Sequence, residues 1–183
     1  MESIDNNILL HILDFLDVES QLRLKATSKI LYYSFDIDHE KYVQSYKSIP
    51  KAIKEAVIND QTNLISYIAK HYKQHIRYIF AYACRYNKET VVYQYYAAEY
   101  VDWGLWCACR GGHEPLARLM KEWGAINFDT GLYYACLGGH EPLVRLMKEY
   151  GATNFLEVLI QANEYNQTHL IPILEQWIAE QHI

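Results

Sequence analysis

The sequence has no run of about 18 apolar residues, so no membrane-spanning helix is expected. It has no basic excess: 17 Lys and Arg stand against 22 Asp and Glu, a net charge of −5. That balance disfavours wholesale binding to nucleic acid. No Ser/His/Asp set, phosphate-binding loop or Gly-rich nucleotide motif is present, so the expectation is a protein that is not an enzyme and takes no cofactor or metal. The opening MESIDNN lacks the basic stretch of a secretory signal. Only four cysteines occur, Cys84, Cys107, Cys109 and Cys136. Three of them fall at matching positions of an internal repeat, which reads as packing rather than a disulfide framework. A reducing intracellular compartment fits that usage. Tyrosine, by contrast, is abundant, with 17 residues. A helical Tyr can pack its ring and keep its hydroxyl wet.

One stretch occurs twice. Residues 108–125 read ACRGGHEPLARLMKEWGA and residues 135–152 read ACLGGHEPLVRLMKEYGA. Self-similarity at a fixed offset of this size is the signature of stacked repeats. Leu132, Tyr133, Ala135 and Cys136 make a small apolar helix, and the pair Gly138-Gly139 supplies the left-handed backbone that ends it. His140 and Glu141 lead to Pro142, expected at the first helical position. Leu143, Leu146 and Met147 form one apolar stripe at i, i+3 and i+4, and Gly151 closes this second helix. Gly111, Gly112, His113, Pro115 and Gly124 play the same parts in the other copy. A helix pair of this kind cannot bury its stripe alone, whereas stacked neighbours can.

The frame extends beyond the two copies. Ala56, Ala83, Ala108, Ala135 and Ala162 recur in register, and each is followed at the same distance by an apolar residue: Leu64, Val91, Leu116, Leu143 and Leu170. Five units result, with Asn59-Asp60, Tyr86-Asn87 and Tyr165-Asn166 at the turns of the outer ones. The step from Ala83 to Ala108 is shorter than the others, which predicts a tighter loop near Glu99 to Asp102.

These units resemble the ankyrin repeat, with Ala135 in a small-residue first helix, Gly139-His140 at the turn, Val144, Leu146 and Met147 in the second helix and Gly151-Ala152 at the close. Ankyrin units are about 33 residues long and begin Thr-Pro-Leu-His. Here the unit is shorter and Leu132-Tyr-Tyr-Ala stands in that place. The resemblance therefore implies an all-α solenoid of about five short ankyrin-like helical hairpins over residues 51–183, with the protruding loop stunted. The wording Gly-Gly-His-Glu-Pro-Leu is similar to that of ankyrin-like proteins of large amoeba-infecting DNA viruses of the marseillevirus type.

Residues 1–50 do not follow the frame. Ser3 or Asp5 can cap a helix carrying Ile8, Leu9, Ile12, Leu13 and Leu16, and Leu22, Leu24 and the run from Ala26 to Tyr33 make two more. This three-helix pattern resembles an F-box, with Asp5-Asn6 where the family has Leu-Pro. The resemblance implies that Leu9, Ile12, Leu13, Leu16, Leu22 and Leu24 form a partner-binding face for a Skp1-like subunit of a ubiquitin ligase. The other reading is a cap that shields the first repeat. Residues 36–50 read as a polar connector.

Candidate chemistry is sparse. His113 and His140 occupy equivalent turns and read as structural, because a catalytic site needs convergent groups. Cys107 and Cys109 lie two apart on a helix and face different sides, which excludes a shared metal without further ligands. Lys70, Lys73 and Arg77 form the most basic window and, if helical, share a face that could touch phosphates. The function expected is protein–protein recognition, as an adaptor presenting a target protein to a host ubiquitin ligase. The alternative is a stand-alone scaffold acting on host nuclear or chromatin components, with nucleic acid at the basic face.

Overall fold

A computed structural model of the chain describes Val43, Tyr46 and residues 48–181. The described residues are helical, with ten α-helices, three short 3-10 turns and no strand. The expected all-α class is therefore observed. The proposed docking residues Leu9, Ile12, Leu13, Leu16, Leu22 and Leu24 lie outside the described residues. The chain divides into two compact parts, residues 1–67 and 68–183.

In the first part, helix α1 (Ile49–Ile58) buries Ala52, Ile53, Ala56 and Val57. Helix α2 (Thr62–His71) begins in this part and ends in the second, with Leu64, Ile65 and Ile68 buried.

The second part continues with α3 (Ile76–Arg85), α4 (Glu89–Gln94), α5 (Val101–Gly111), α6 (Glu114–Glu122), α7 (Phe128–Gly138), α8 (Glu141–Glu149), α9 (Phe155–Glu164) and α10 (Ile171–Gln181). They form pairs: α3 with α4, α5 with α6, α7 with α8, α9 with α10. The first helices also pack in sequence, α3 on α5, α5 on α7 and α7 on α9. The stripes of the second helices explain the pairing. Leu116, Ala117 and Met120 of α6 are buried, as are Leu143, Val144, Leu146 and Met147 of α8. Each large apolar side chain so buried contributes about 1.5–3 kcal/mol.

All five frame alanines are fully buried, and each has a second role in the backbone. The carbonyls of Ala56, Ala83, Ala108, Ala135 and Ala162 accept from the N–H groups of Gln61, Lys88, His113, His140 and Gln167 at 2.7–3.0 Å. This bond, closing over a left-handed residue, is the Schellman end of a helix and uses a carbonyl left without an intrahelical partner. The left-handed residues are Asp60, Asn87, Gly112, Gly139 and Asn166, with φ between 53° and 82°. Asp and Asn are the residues besides Gly that tolerate this region. The second helices end alike: Ala125 N–H reaches Met120 O and Ala152 N–H reaches Met147 O, over Gly124 and Gly151 at φ 102° and 103°.

Gly112 and Gly139 hold the positive φ expected of them, and two other details differ from expectation. Only the second glycine of each pair is left-handed, whereas Gly111 and Gly138 end their helices in helical conformation. They are needed for space. A Cβ on Gly138 would lie 2.8 Å from Arg110 O and 2.5 Å from the His140 ring, and one on Gly111 would meet Arg85 O and the His113 ring. The prolines sit second rather than first in α6 and α8, behind Glu114 and Glu141. That position also has an N–H without an intrahelical acceptor. Finally, the short step between Ala83 and Ala108 does not tighten the loop. It shortens the helix: α4 has 6 residues where α6 and α8 have 9.

Candidate functional site

Helices α3, α5 and α7 leave a cleft of about 170 Å³ along their outward sides. Tyr78, Ala81, Tyr82 and Arg85 come from α3, Trp103, Trp106, Cys107 and Arg110 from α5, and Tyr134 from α7. The reason is the frame. Residues just before and two after each buried alanine point away from the core, so they form columns across neighbouring first helices. One column reads Tyr82, Cys107, Tyr134, Gln161, and another reads Arg85, Arg110, Leu137, Glu164.

The rings are held in place by one another. Tyr78 meets Trp103 edge to face at 5.3 Å, and Trp106 stacks on Tyr134 at 6.2 Å. The Trp106 indole N–H donates to Asn127 O at 3.4 Å, and the Tyr133 hydroxyl donates to Gln161 Oε1 at 3.4 Å. Guanidinium groups lie over the rings: Arg77 is 5.0 Å from Tyr78 and 5.6 Å from Trp103, Arg85 is 5.9 Å from Tyr86, and Arg110 is 5.8 Å from Tyr134. Such stacking orients a guanidinium and leaves its edge donors open. Among the described residues no carboxylate forms an ion pair with Arg77, Arg85 or Arg110, and no Asp or Glu lines the cleft.

Cys107 reports the electrostatics at the cleft floor. Burial pushes its thiol up to about 11, while the Arg85 and Arg110 charges act the other way. A negative charge at that point is thus favoured by both arginines. Burial likewise raises the Tyr82 phenol, and neighbouring Tyr86 adds to the effect. The remaining thiols are core groups. Cys84, Cys109 and Cys136 are free and fully buried. Desolvation pushes Cys109 up to about 12 and Cys136 up to about 11.

The residues singled out in the sequence are placed as follows. His113 Nε2–H donates to Arg85 O at 2.8 Å, satisfying a carbonyl in the last turn of α3. The His140 ring occupies the matching place beside Gly112 and Gly138. Gln61, Lys88 and Gln167 stand at the same frame position in the other units, a pattern hidden by attention to histidine. Lys70 lies in the last turn of α2, Lys73 in the 3-10 turn Lys73–His75, and Arg77 in the first turn of α3. The three cations therefore do not share one helical face. Among the described residues no cluster of three or more His, Cys, Asp or Glu could hold a metal ion, and no helix is long and apolar enough to cross a membrane.

Sequence reading missed Trp103, Trp106, Arg85 and Arg110 as a group. It also missed Asp102 and Asp129. Asp102 Oδ1 accepts from the N–H groups of Ile126 and Asn127 at 2.8 and 3.0 Å, and Asp129 Oδ1 from those of Thr153 and Asn154 at 2.6 and 3.2 Å. Their spacing by one repeat period was the available signal. The polar cleft of about 330 Å³ around them is a loop clasp whose carboxylates are already engaged. Compared with known proteins, the chain matches no family model, no curated protein and no solved structure.

Proposed function

We propose that this protein is a non-enzymatic recognition protein, in which the helix pairs of residues 76–181 act as short ankyrin-like hairpins and their first helices offer the aromatic and arginine cleft to a protein partner. The observation that carries this reading is the cleft's composition. Trp, Tyr and Arg dominate binding energy at protein interfaces. Here they are gathered on three helices and left partly exposed, and among the described residues the arginines lack carboxylate partners. Side chains needed only for packing would be buried, as Trp177 is.

The fuller reading is an adaptor. In it, Leu9, Ile12, Leu13, Leu16, Leu22 and Leu24 dock a Skp1-like subunit while the cleft holds the target. Its support is the F-box-like sequence pattern alone. The alternative scaffold, contacting nucleic acid through Lys70, Lys73 and Arg77, has less support, because Arg77 already lies over Tyr78 and Trp103.

Capture from an extract of a plausible host, with partners identified by mass spectrometry, tests both parts. The double variant Trp103→Ala, Trp106→Ala is expected to lose the target and keep the Skp1-like protein. Ile12→Asp with Leu16→Asp is expected to do the reverse. A cleft variant that captures the same proteins as wild type removes the cleft from the proposal. Wild type that remains folded and captures no Skp1-like protein ends the adaptor reading.

A further inference from the structure

The outward columns of the first helices change character along the row. Two residues after the buried alanine stand Arg85 on α3, Arg110 on α5, Leu137 on α7 and Glu164 on α9. Five residues before it stand Tyr78, Trp103, Thr130 and Glu157. Tyr133 and Gln161, hydrogen-bonded at 3.4 Å, connect α7 to α9 in the same row. Ile160, Glu157 and Glu164 are exposed. The α3–α5 end is thus cationic and aromatic, α7 is neutral, and the α9 end is anionic.

Packed helices lie about 8–10 Å apart. An extended peptide advances about 3.3 Å per residue. One helix step therefore matches about three residues of an extended ligand. We propose that the cleft binds an extended segment of a partner protein whose side chains repeat this order at three-residue intervals: two carboxylates at Arg85 and Arg110, an apolar group beside Leu137 and Tyr134, and a cationic group at Glu164. This rests on the recognition function proposed above and names its ligand.

The chemistry favours carboxylates over bases. A stacking platform for nucleotides needs bare ring faces. Here Arg77 lies over both Tyr78 and Trp103, Trp106 is stacked on Tyr134, and Arg110 lies over Tyr134. Arg77 Nη2 also donates to the Tyr78 hydroxyl at 3.3 Å, and what remains open is the guanidinium edge of Arg110, which forks onto a carboxylate through two parallel N–H···O bonds. Glu157 and Glu164 at the far end, and the net charge of −5, oppose a continuous polyanion. They oppose a short segment with one basic group much less.

The test uses the full-length protein and fluorescein-labelled synthetic peptides, read by anisotropy. The graded probe carries two glutamates three residues apart, a leucine three further on and a lysine three beyond that. A neutral probe, uncharged only at those two positions, has glutamines for the glutamates, and an acidic probe has glutamate for the lysine. Wild type is expected to prefer the graded probe to the neutral one by about tenfold or more, as loss of charge-assisted bonds implies. Arg85→Gln with Arg110→Gln should abolish that preference. Both substitutions leave the backbone carbonyl that His113 uses in place, and circular dichroism checks the fold. Glu164→Lys should reverse the order of the graded and acidic probes, a gain that misfolding does not mimic.

Equal binding of graded and neutral probes, weakened alike by Trp106→Ala, overturns the charge assignment and leaves the cleft as a recognition site. Binding of a single-stranded oligonucleotide that needs both arginines and resists competition by the graded probe replaces the peptide with nucleic acid. Failure of every probe to bind rejects the segment proposed, and the capture experiment with the Trp103→Ala, Trp106→Ala variant then judges the cleft separately.

Discussion

Two rows of cations on aromatic rings run through residues 76–181, and they are finished differently. In one row, Lys121 Nζ lies 3.9 Å from the Tyr150 ring and Lys148 Nζ lies 4.5 Å from that of Trp177. Trp123, Tyr150 and Trp177 stand one repeat period apart, and Tyr93 and Tyr96 cover Trp123 in place of a lysine. Carboxylates complete this row at Lys148, which pairs with Glu180 at 2.8 Å, and nearby Arg118 and Arg145 pair with Glu114 and Glu141, whereas Lys121 has no ion pair among the described residues. In the cleft row, Arg77, Arg85 and Arg110 lie over rings with no such partner among the described residues. The same attraction therefore serves two ends. At Lys148 and Trp177, where the cation is neutralised and the ring buried, it joins one helix pair to the next. Where the cation is left unpaired over a partly exposed ring, it remains available to a ligand.

Truncating a ring in each row gives the largest contrast. Trp177 is 5% exposed and packs on Phe155. Trp177→Ala is expected to cost about 3–5 kcal/mol, read as a lower midpoint in urea unfolding. Trp106→Ala, on the cleft, is expected to cost about 1 kcal/mol or less. Equal losses would mean that both rows are structural.

The helix contacts that carry the cleft come next. Gly104 lies in α5, and a Cβ there would stand 2.7 Å from both Met120 Sδ and the Phe80 ring. Gly131 of α7 would meet mainly Met147, whose side chain can swing aside. Gly104→Val is expected to cost about 1–3 kcal/mol by overpacking, and Gly131→Val less. The reverse order would show that Phe80 yields more easily than Met147.

These elements were unequally legible in the sequence. The frame alanines and turn residues stood out because burial and left-handed backbone each demand particular residue types. Gly112, Gly139, Asn87 and Asn166 are all residues that accept positive φ. The cleft was hidden because exposed positions impose no such demand. A contiguous basic window points to Lys70, Lys73 and Arg77, yet a helix end and a 3-10 turn interrupt that window. Arg85 and Arg110 are far apart in the chain and meet only because α3 packs on α5. In a repeated chain, outward residues line up in columns across copies. Reading positions two after each alanine would have found them.

The thiols separate core from cleft by pH. Cys109 is raised from an ordinary 9.0 to about 12 by burial. Folded protein keeps this proton where the unfolded chain loses it, so stability falls as pH rises from 9.0 toward about 12. The slope is about 1.4 kcal/mol per pH unit for each such thiol. Cys109→Ala should make the alkaline fall measurably shallower in urea titrations at about pH 8 and about pH 10.5. Cys107→Ala should change it less, because Arg85 and Arg110 oppose burial there. An unchanged slope in Cys109→Ala would show that water reaches that thiol in the folded state.

The smallest effect bears most directly on the two rows. Lys148 lies against the Trp177 ring, and a cation–π contact at a partly exposed site is worth about 0.5–1 kcal/mol. Lys148→Met is expected to lower stability by about that amount. The same ammonium also bonds Glu180, whose carboxyl is held below its ordinary 4.5, chiefly by the bond from Lys148 and then by Gln176. A lowered folded value stabilises above the unfolded value and is lost as pH falls through the folded one. The difference between wild type and Lys148→Met should therefore narrow on acidification below about pH 4.5. Arg110→Gln has no carboxylate pairing of this kind to lose. It should leave stability nearly unchanged over this acid range, while weakening binding of the graded peptide. Thermal melts of both variants across this pH range check the contrast. A pH-dependent loss in Arg110→Gln would reveal a carboxylate partner for Arg110 and close the distinction between the rows.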